Sequence, residues 1–380
     1  MKRLLALAVV VVMAVSLFSG CGAGAGGDTI KIGSVQPISG DVSAYGTQSR
    51  DAIQMAVDEI NAAGGILGKK VEVFIEDDEN NPEKTVTAFK MLATQRKIVG
   101  LIGALTSKCS LAITEEAQQR KIIMISPSST NDTVTDAGDY IFKACYNDSF
   151  QGPVVAQYAI ETLKAKTAAI MFDNTNDYSV GLKNSFGDEF KKLGGTVVEE
   201  SYAKGDKDFT AQLTKLKASN PDVLFISDYY NTVALMAKQV KQLEINATMI
   251  GADGWDEIAN NAGDEVVGSI YSNHYAADAD DPEVQAFVAK YQEKYKIIPN
   301  ALAALAYDST YILCDAIAKA GTATDPEKIK AAMMETNKKL VTGNIKFGEN
   351  RVPIKAIVMT KVIKKEDGKL DISFAGKVEP

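Results

Sequence analysis

The chain has a single histidine, His274, in 380 residues, a single tryptophan, Trp255, and four cysteines, none in a CxxC pair. Each scarcity excludes something. A Ser-His-Asp relay would have to use His274, and no GxSxG turn precedes a helix. Without CxxC spacing there is neither a zinc ribbon nor a thioredoxin-like redox site. HExxH, the P-loop and a GxGxxG fingerprint set between a strand and a helix are also missing, so no resident metal or cofactor is expected. Positive charge is in deficit. Lys and Arg number 41 against 49 Asp and Glu, a net charge of −8, which leaves no footprint for nucleic acid or for an anionic membrane surface. No repeat of solenoid period and no long charge run occurs.

One long apolar run is present, at the start. Lys2 and Arg3 precede "LLALAVVVVMAVSLF", short for a membrane span but right for an export leader over residues 1–20. "SLFSGC" then resembles a bacterial lipobox, with Phe18 in the place of the usual Leu, and marks Cys21 for lipidation. "GAGAGGD" offers no side chains to pack, so residues 21–27 read as lipidated cysteine plus flexible tether.

From Thr29 onward, short apolar runs alternate with helical periodicity. "TIKIGSVQ", "KVEVFIED", "IVGLIG", "IIMISP" and "YIFKAC" form one strand series, and "AAIMFD", "TVVEES", "DVLFIS" and "ATMIG" a second. Helices are expected from about Gly152, Val180, Phe209 and Thr232 in the second series. The alternation predicts βαβ units and parallel sheets, hence an α/β protein of two doubly wound lobes. After about Ser272 the pattern changes to two long helices, a short one from Pro326 and a terminal β region from Val341.

Ligands of open α/β sheets bind beyond the carboxyl ends of the strands. In the first series those ends carry Tyr45, Ser107, Ser128 and Thr130; in the second, Tyr178, Tyr229, Asp253 and Trp255. Hydroxyls at helix N-termini suit a carboxylate, an acid opposite suits an ammonium, and aromatic rings supply apolar walls. Together they predict a cleft for a small zwitterion, an α-amino acid. Lys108, Asp228 and the run Asp77-Asp78-Glu79 are read as solvated. Cys314 is read as a core residue.

"IGSVQPISGDVSAYG", "INAAGGILGKKVEVFIEDDENNPEKTV", "IGALTS", "ISPSST" and "NDSFQGPVVAQY" resemble the leucine/isoleucine/valine-binding proteins, the type I periplasmic binding proteins of branched-chain amino-acid ABC transporters. The resemblance implies two Rossmann-like lobes joined by a three-strand hinge, with residues 28–147 plus 275–354 in one lobe and 148–274 plus 355–380 in the other. It places Ser107, Ser128 and Thr130 on the ligand's carboxylate and ammonium, Tyr45 and Tyr307 near its side chain, Tyr178 and Tyr229 closing from the far lobe, and Asp253 on the ammonium. The cysteine pair of enteric members is absent; its positions fall near Asn80 and Thr106, and Cys109 with Cys145 is the substitute pairing left open. The implied protein is not an enzyme. It is a monomeric, exported, lipid-anchored receptor that takes a free amino acid, Leu, Ile or Val first, and passes it to an ABC permease. A sensor for an amino acid or small amide is the alternative.

Overall fold

The computed structural model describes residues 29–379, so the leader, Cys21 and the tether lie outside the described residues. The chain opens with β1 (Ile30–Gln36), α1 (Ser43–Ala62), β2 (Val71–Asp77), α2 (Pro82–Met91), β3 (Gly100–Ile102), α3 (Ser107–Gln119), β4 (Ile123–Ser126) and β5 (Ile141–Lys143). These strands form a parallel sheet of order β2-β1-β3-β4-β5. The second series contains α4 (Asp148–Glu161), β6 (Thr167–Asp173), α5 (Asp177–Lys192), β7 (Thr196–Tyr202), α6 (Thr210–Lys217), β8 (Val223–Ser227), α7 (Tyr230–Gln242), β9 (Thr248–Gly251), α8 (Ile258–Asn261) and β10 (Ile270–Asn273). Its parallel strands run β7-β6-β8-β9-β10, the first sheet's order repeated.

The chain then returns to the first lobe through α9 (Pro282–Tyr295), α10 (Ala301–Ala320), α11 (Pro326–Met334) and the hairpin β11 (Asn337–Leu340)–β12 (Gly343–Lys346). It finishes in the second sheet, where β13 (Ile357–Lys364) and β14 (Leu370–Val378) add antiparallel to β10. The chain therefore passes between the lobes three times, after β5, after β10 and after β12. α10 is long and apolar enough to cross a bilayer, yet 83% of its apolar window is buried; packed against α1 and β3, it is a core helix.

Strand alternation clothes both faces of each sheet. In the first, Ile30, Ile32, Ile102 and Ile125 pack beneath α10 and α11, while Val35, Leu101 and Met124 turn to the opposite face. The Cys109–Cys145 pairing fails on this geometry. Cys145 belongs to the first face and Cys109 to the second, so the sheet lies between them, and both are free and buried, as is Cys314. Three helices begin earlier than the periodicity suggests: α4 at Asp148, α5 at Asp177 and α7 at Tyr230. Polar or aromatic first turns hide the apolar rhythm there. β10, only four residues long, is absent from the expected strands.

Candidate functional site

The two lobes are pressed together. Val42, Tyr45 and Leu105 of the first share one apolar cluster with Tyr230, Trp255 and Tyr271 of the second. Between them lies a narrow cavity of about 10 Å³. Because both sheets have the same strand order, its walls come from matching places: the turns after β1, β3 and β4 on one side, and after β6, β8 and β9 on the other.

The first lobe's wall is a helix N-terminus. β3 ends at Gly103, whose φ of +132° and whose approach to Val35 would bring an added Cβ within 2.6 Å of the Val35 carbonyl oxygen. Only glycine fits there. Thr106 then occupies the N-cap of α3 without capping it, because its hydroxyl donates to Asn80 Oδ1 at 2.8 Å. The first N–H groups of α3 therefore remain available to an anion. Ser107 Oγ accepts the Asn131 N–H at 3.2 Å, which leaves its own hydrogen free to donate. Ser128 braces the turn by donating to the Leu105 carbonyl at 2.8 Å. Beneath it, the hydroxyls of Ser110, Ser126 and Ser129 interlock around the Ala104 carbonyl. Thr130 Oγ1 is buried and meets no partner among the described residues.

The second lobe's wall is aromatic and acidic. Tyr178 and Tyr229 stack with rings 5.1 Å apart and 5° from parallel. Tyr178 hydroxyl donates to Asp253 Oδ1 at 2.9 Å and accepts the Gly254 N–H at 2.8 Å. Gly254 sits so close that an added Cβ would lie 2.7 Å from that hydroxyl. Gln151 Nε2 reaches the same Asp253 oxygen at 3.0 Å, and His274 Nε2 lies 3.2 Å from the other. Burial holds the His274 ring below its ordinary pKa despite Asp253, and the ring stacks on Tyr146 at 4.1 Å. The lone histidine is therefore a support for Asp253. Tyr45 crosses the interface, donating to the Gly254 carbonyl at 2.6 Å.

Of the residues singled out from sequence, Tyr45, Ser107, Ser128, Tyr178, Tyr229 and Asp253 line the cavity. Thr130 stands just behind, its carbonyl accepting the Asp148 N–H at 2.9 Å. Tyr307 is not brought to the cavity. It lies on α10, packs on Phe287 and donates to Glu59 Oε2 at 2.5 Å; Leu302, five residues earlier on the same helix, takes the wall position. A step of five residues turns a side chain to nearly the opposite side of a helix. Asp228 is not solvated either. It is buried, accepts from Tyr202 at 2.5 Å and Tyr229 N at 2.7 Å, and is pushed up to about 6, chiefly by burial. Asp78, within the acidic run, is likewise buried and accepts from Thr85.

Asp148 is the residue the sequence reading passed over. It opens α4 beside Thr130 and Gly181, fully buried, and neither carboxylate oxygen meets a hydrogen-bond donor among the described residues. Burial, then the charge of Asp253, raise its pKa well above the carboxylate range. The only sequence signal for it was its place in "NDSFQG" after the fifth strand.

Comparison with known proteins adds to this geometry. Residues 29–369 match the family model described as periplasmic binding protein. The Leu/Ile/Val-binding protein BraC3 of Rhizobium johnstonii is 33% identical, covering 84% of this chain and 88% of its own. A leucine-, isoleucine-, valine-, threonine- and alanine-binding protein of Pseudomonas aeruginosa is 32% identical over 85% of this chain and 86% of its own. Among solved structures, the leucine-binding protein LivK of Thermotoga maritima superposes with a TM-score of 0.87 at 34% identity, covering 93% of this chain and 99% of its own. The substrate-binding protein LivJ of Streptococcus pneumoniae, in complex with isoleucine, gives 0.84 at 32%, over 92% and 100%.

Proposed function

Because this chain belongs to the periplasmic binding protein family, among the leucine/isoleucine/valine-binding proteins, we propose that it captures a free amino acid with an apolar side chain in its interlobe cavity and delivers it to an ABC permease. The observation that carries this reading is the opposition across the cavity. Ser107 and the uncapped start of α3 stand on one side and the buried acid Asp253 on the other, with Asp148 buried beside Thr130. A carboxylate suits the first and an ammonium the second. Leu105, Leu302 and the tyrosine rings supply apolar walls that suit an aliphatic side chain once the lobes part to admit it. Lobe closure then follows from the ligand's touching both walls, since closure is favoured by whatever binds the closed state better.

Lobe boundaries at 28–147 with 275–354, and 148–274 with 355–380, belong to this proposal. The order of the two sheets and the return of α9 to α11 support them. So does lipid attachment at Cys21, supported by "SLFSGC". Calorimetry of the delipidated protein against the common amino acids and their 2-hydroxy analogues tests the ligand. Tightest binding of Leu, Ile or Val is expected; preference for a charged amino acid or for a simple amide overturns the assignment.

A further inference from the structure

Three and four residues beyond Asp253, the same segment reaches across the lobe interface. Glu257 follows the 3₁₀ turn Asp253–Trp255 with a left-handed backbone, φ +74°. Its Oε1 accepts from Gln48 Nε2 at 2.6 Å and from Asn300 Nδ2 at 2.9 Å, both on the first lobe. Asp256 Oδ2 accepts the Ala301 N–H at 2.6 Å, so a carboxylate of one lobe caps α10 of the other. Gln48 Oε1 completes the junction by accepting the Asn300 N–H at 2.9 Å. All of these groups are buried, and none belongs to the cavity that faces the ligand. Non-glycine residues hold a left-handed backbone at a cost that surrounding contacts must over-determine.

We infer that Asp256 and Glu257 form an interlobe latch, distinct from the ligand contacts, that sets how far the lobes are closed before ligand arrives. Asp253 and the latch share one short turn, pinned by the Trp255 indole donating to the Ile226 carbonyl at 2.8 Å. Ligand held by Asp253 therefore steadies the latch, and a formed latch presents Asp253. The apparent dissociation constant equals the intrinsic one divided by the competent fraction, so weakening the latch weakens binding without touching a ligand contact. The latch lies on the site proposed above but does not depend on which molecule fills it.

Asn300→Asp separates the roles. Asn300 Oδ1 already caps α10 by accepting the Ala303 N–H at 2.8 Å, and aspartate keeps that cap while turning the donor that faces Glu257 into a second carboxylate oxygen. Small-angle scattering of the ligand-free variant is expected to show a larger radius of gyration than wild type, and calorimetry about ten- to a hundred-fold weaker amino-acid binding. Adding Glu257→Gln, which again supplies a donor, should recover part of both. Unchanged scattering and affinity in Asn300→Asp overturn the latch, as does a double variant no better than the single one in a cycle. Should no amino acid bind even the wild type, the ligand proposal fails, while the scattering comparison still decides the latch.

Discussion

A hydroxyl and an acid mark the cavity's poles, a second buried acid, Asp148, lies beside Thr130, and each makes a separate measurement. Ser107→Ala removes a cavity-lining hydroxyl whose hydrogen no protein group claims among the described residues. A hydrogen bond to a charged group is worth about 1.5–3 kcal/mol, so ligand affinity should fall about ten- to a hundred-fold with the fold intact, as read by calorimetry and circular dichroism. Asp253→Asn should cost more for an amino acid than for the matching 2-hydroxy acid, because only the first carries an ammonium. Equal losses would assign Asp253 to holding Tyr178 and Gln151 in place rather than to the ligand. Asp148 yields a pH effect. Burial raises its folded pKa and so favours the protonated form, whereas an ammonium brought close to it would favour the charged form. Binding should therefore release a proton, and affinity should rise with pH until Asp148 is ionised without ligand. Calorimetry in buffers of different ionisation enthalpy reads this directly, and Asp148→Asn should abolish the release.

Among the elements, helix starts do most of the positioning. α5 begins at Asp177 because Asn176 caps it, accepting the Tyr178 N–H at 3.2 Å. That cap fixes the turn from which Tyr178 reaches Asp253. Asn176→Ala should lower stability by about 1 kcal/mol and weaken ligand binding as well, checked by urea unfolding and calorimetry on one preparation. A loss of stability with unchanged affinity would mean that stacking on Tyr229 and the hydroxyl's bonds to Asp253 and Gly254 hold Tyr178 without the cap. α3 shows the opposite arrangement: its N-cap threonine turns away to Asn80, and the helix's first N–H groups are left without a side-chain cap.

For the whole molecule, three passages between lobes replace a single linker, and the thiols report how tightly the lobes are built. Cys109, Cys145 and Cys314 are buried, with burial pushing each thiol up to about 12. A Cys21→Ser form should therefore show no reactive thiol while folded and three once unfolded in denaturant. Fewer than three would reveal a disulfide that the sheet between Cys109 and Cys145 forbids.

Alternating apolar runs and helical stretches carried the α/β class, both strand series and six cavity residues, because strand ends and helix starts are local events with local residue signatures. Tyr307 and Leu302 differ by a rotation about α10, and the apolar character of that helix on nearly every side hides which face meets the cavity. The solvated reading of Asp228 failed for a related reason: an acid after a strand looks the same in sequence whether water or Tyr202 meets it. The latch at Asp256 and Glu257 depends on groups that only the apposed lobes bring together, and the support His274 lends Asp253 depends on packing of distant segments within the second lobe. Local propensity determined the elements and where a ligand could approach them. Burial and contact across the closed interface decided which polar groups meet at the cavity and which are turned to other partners.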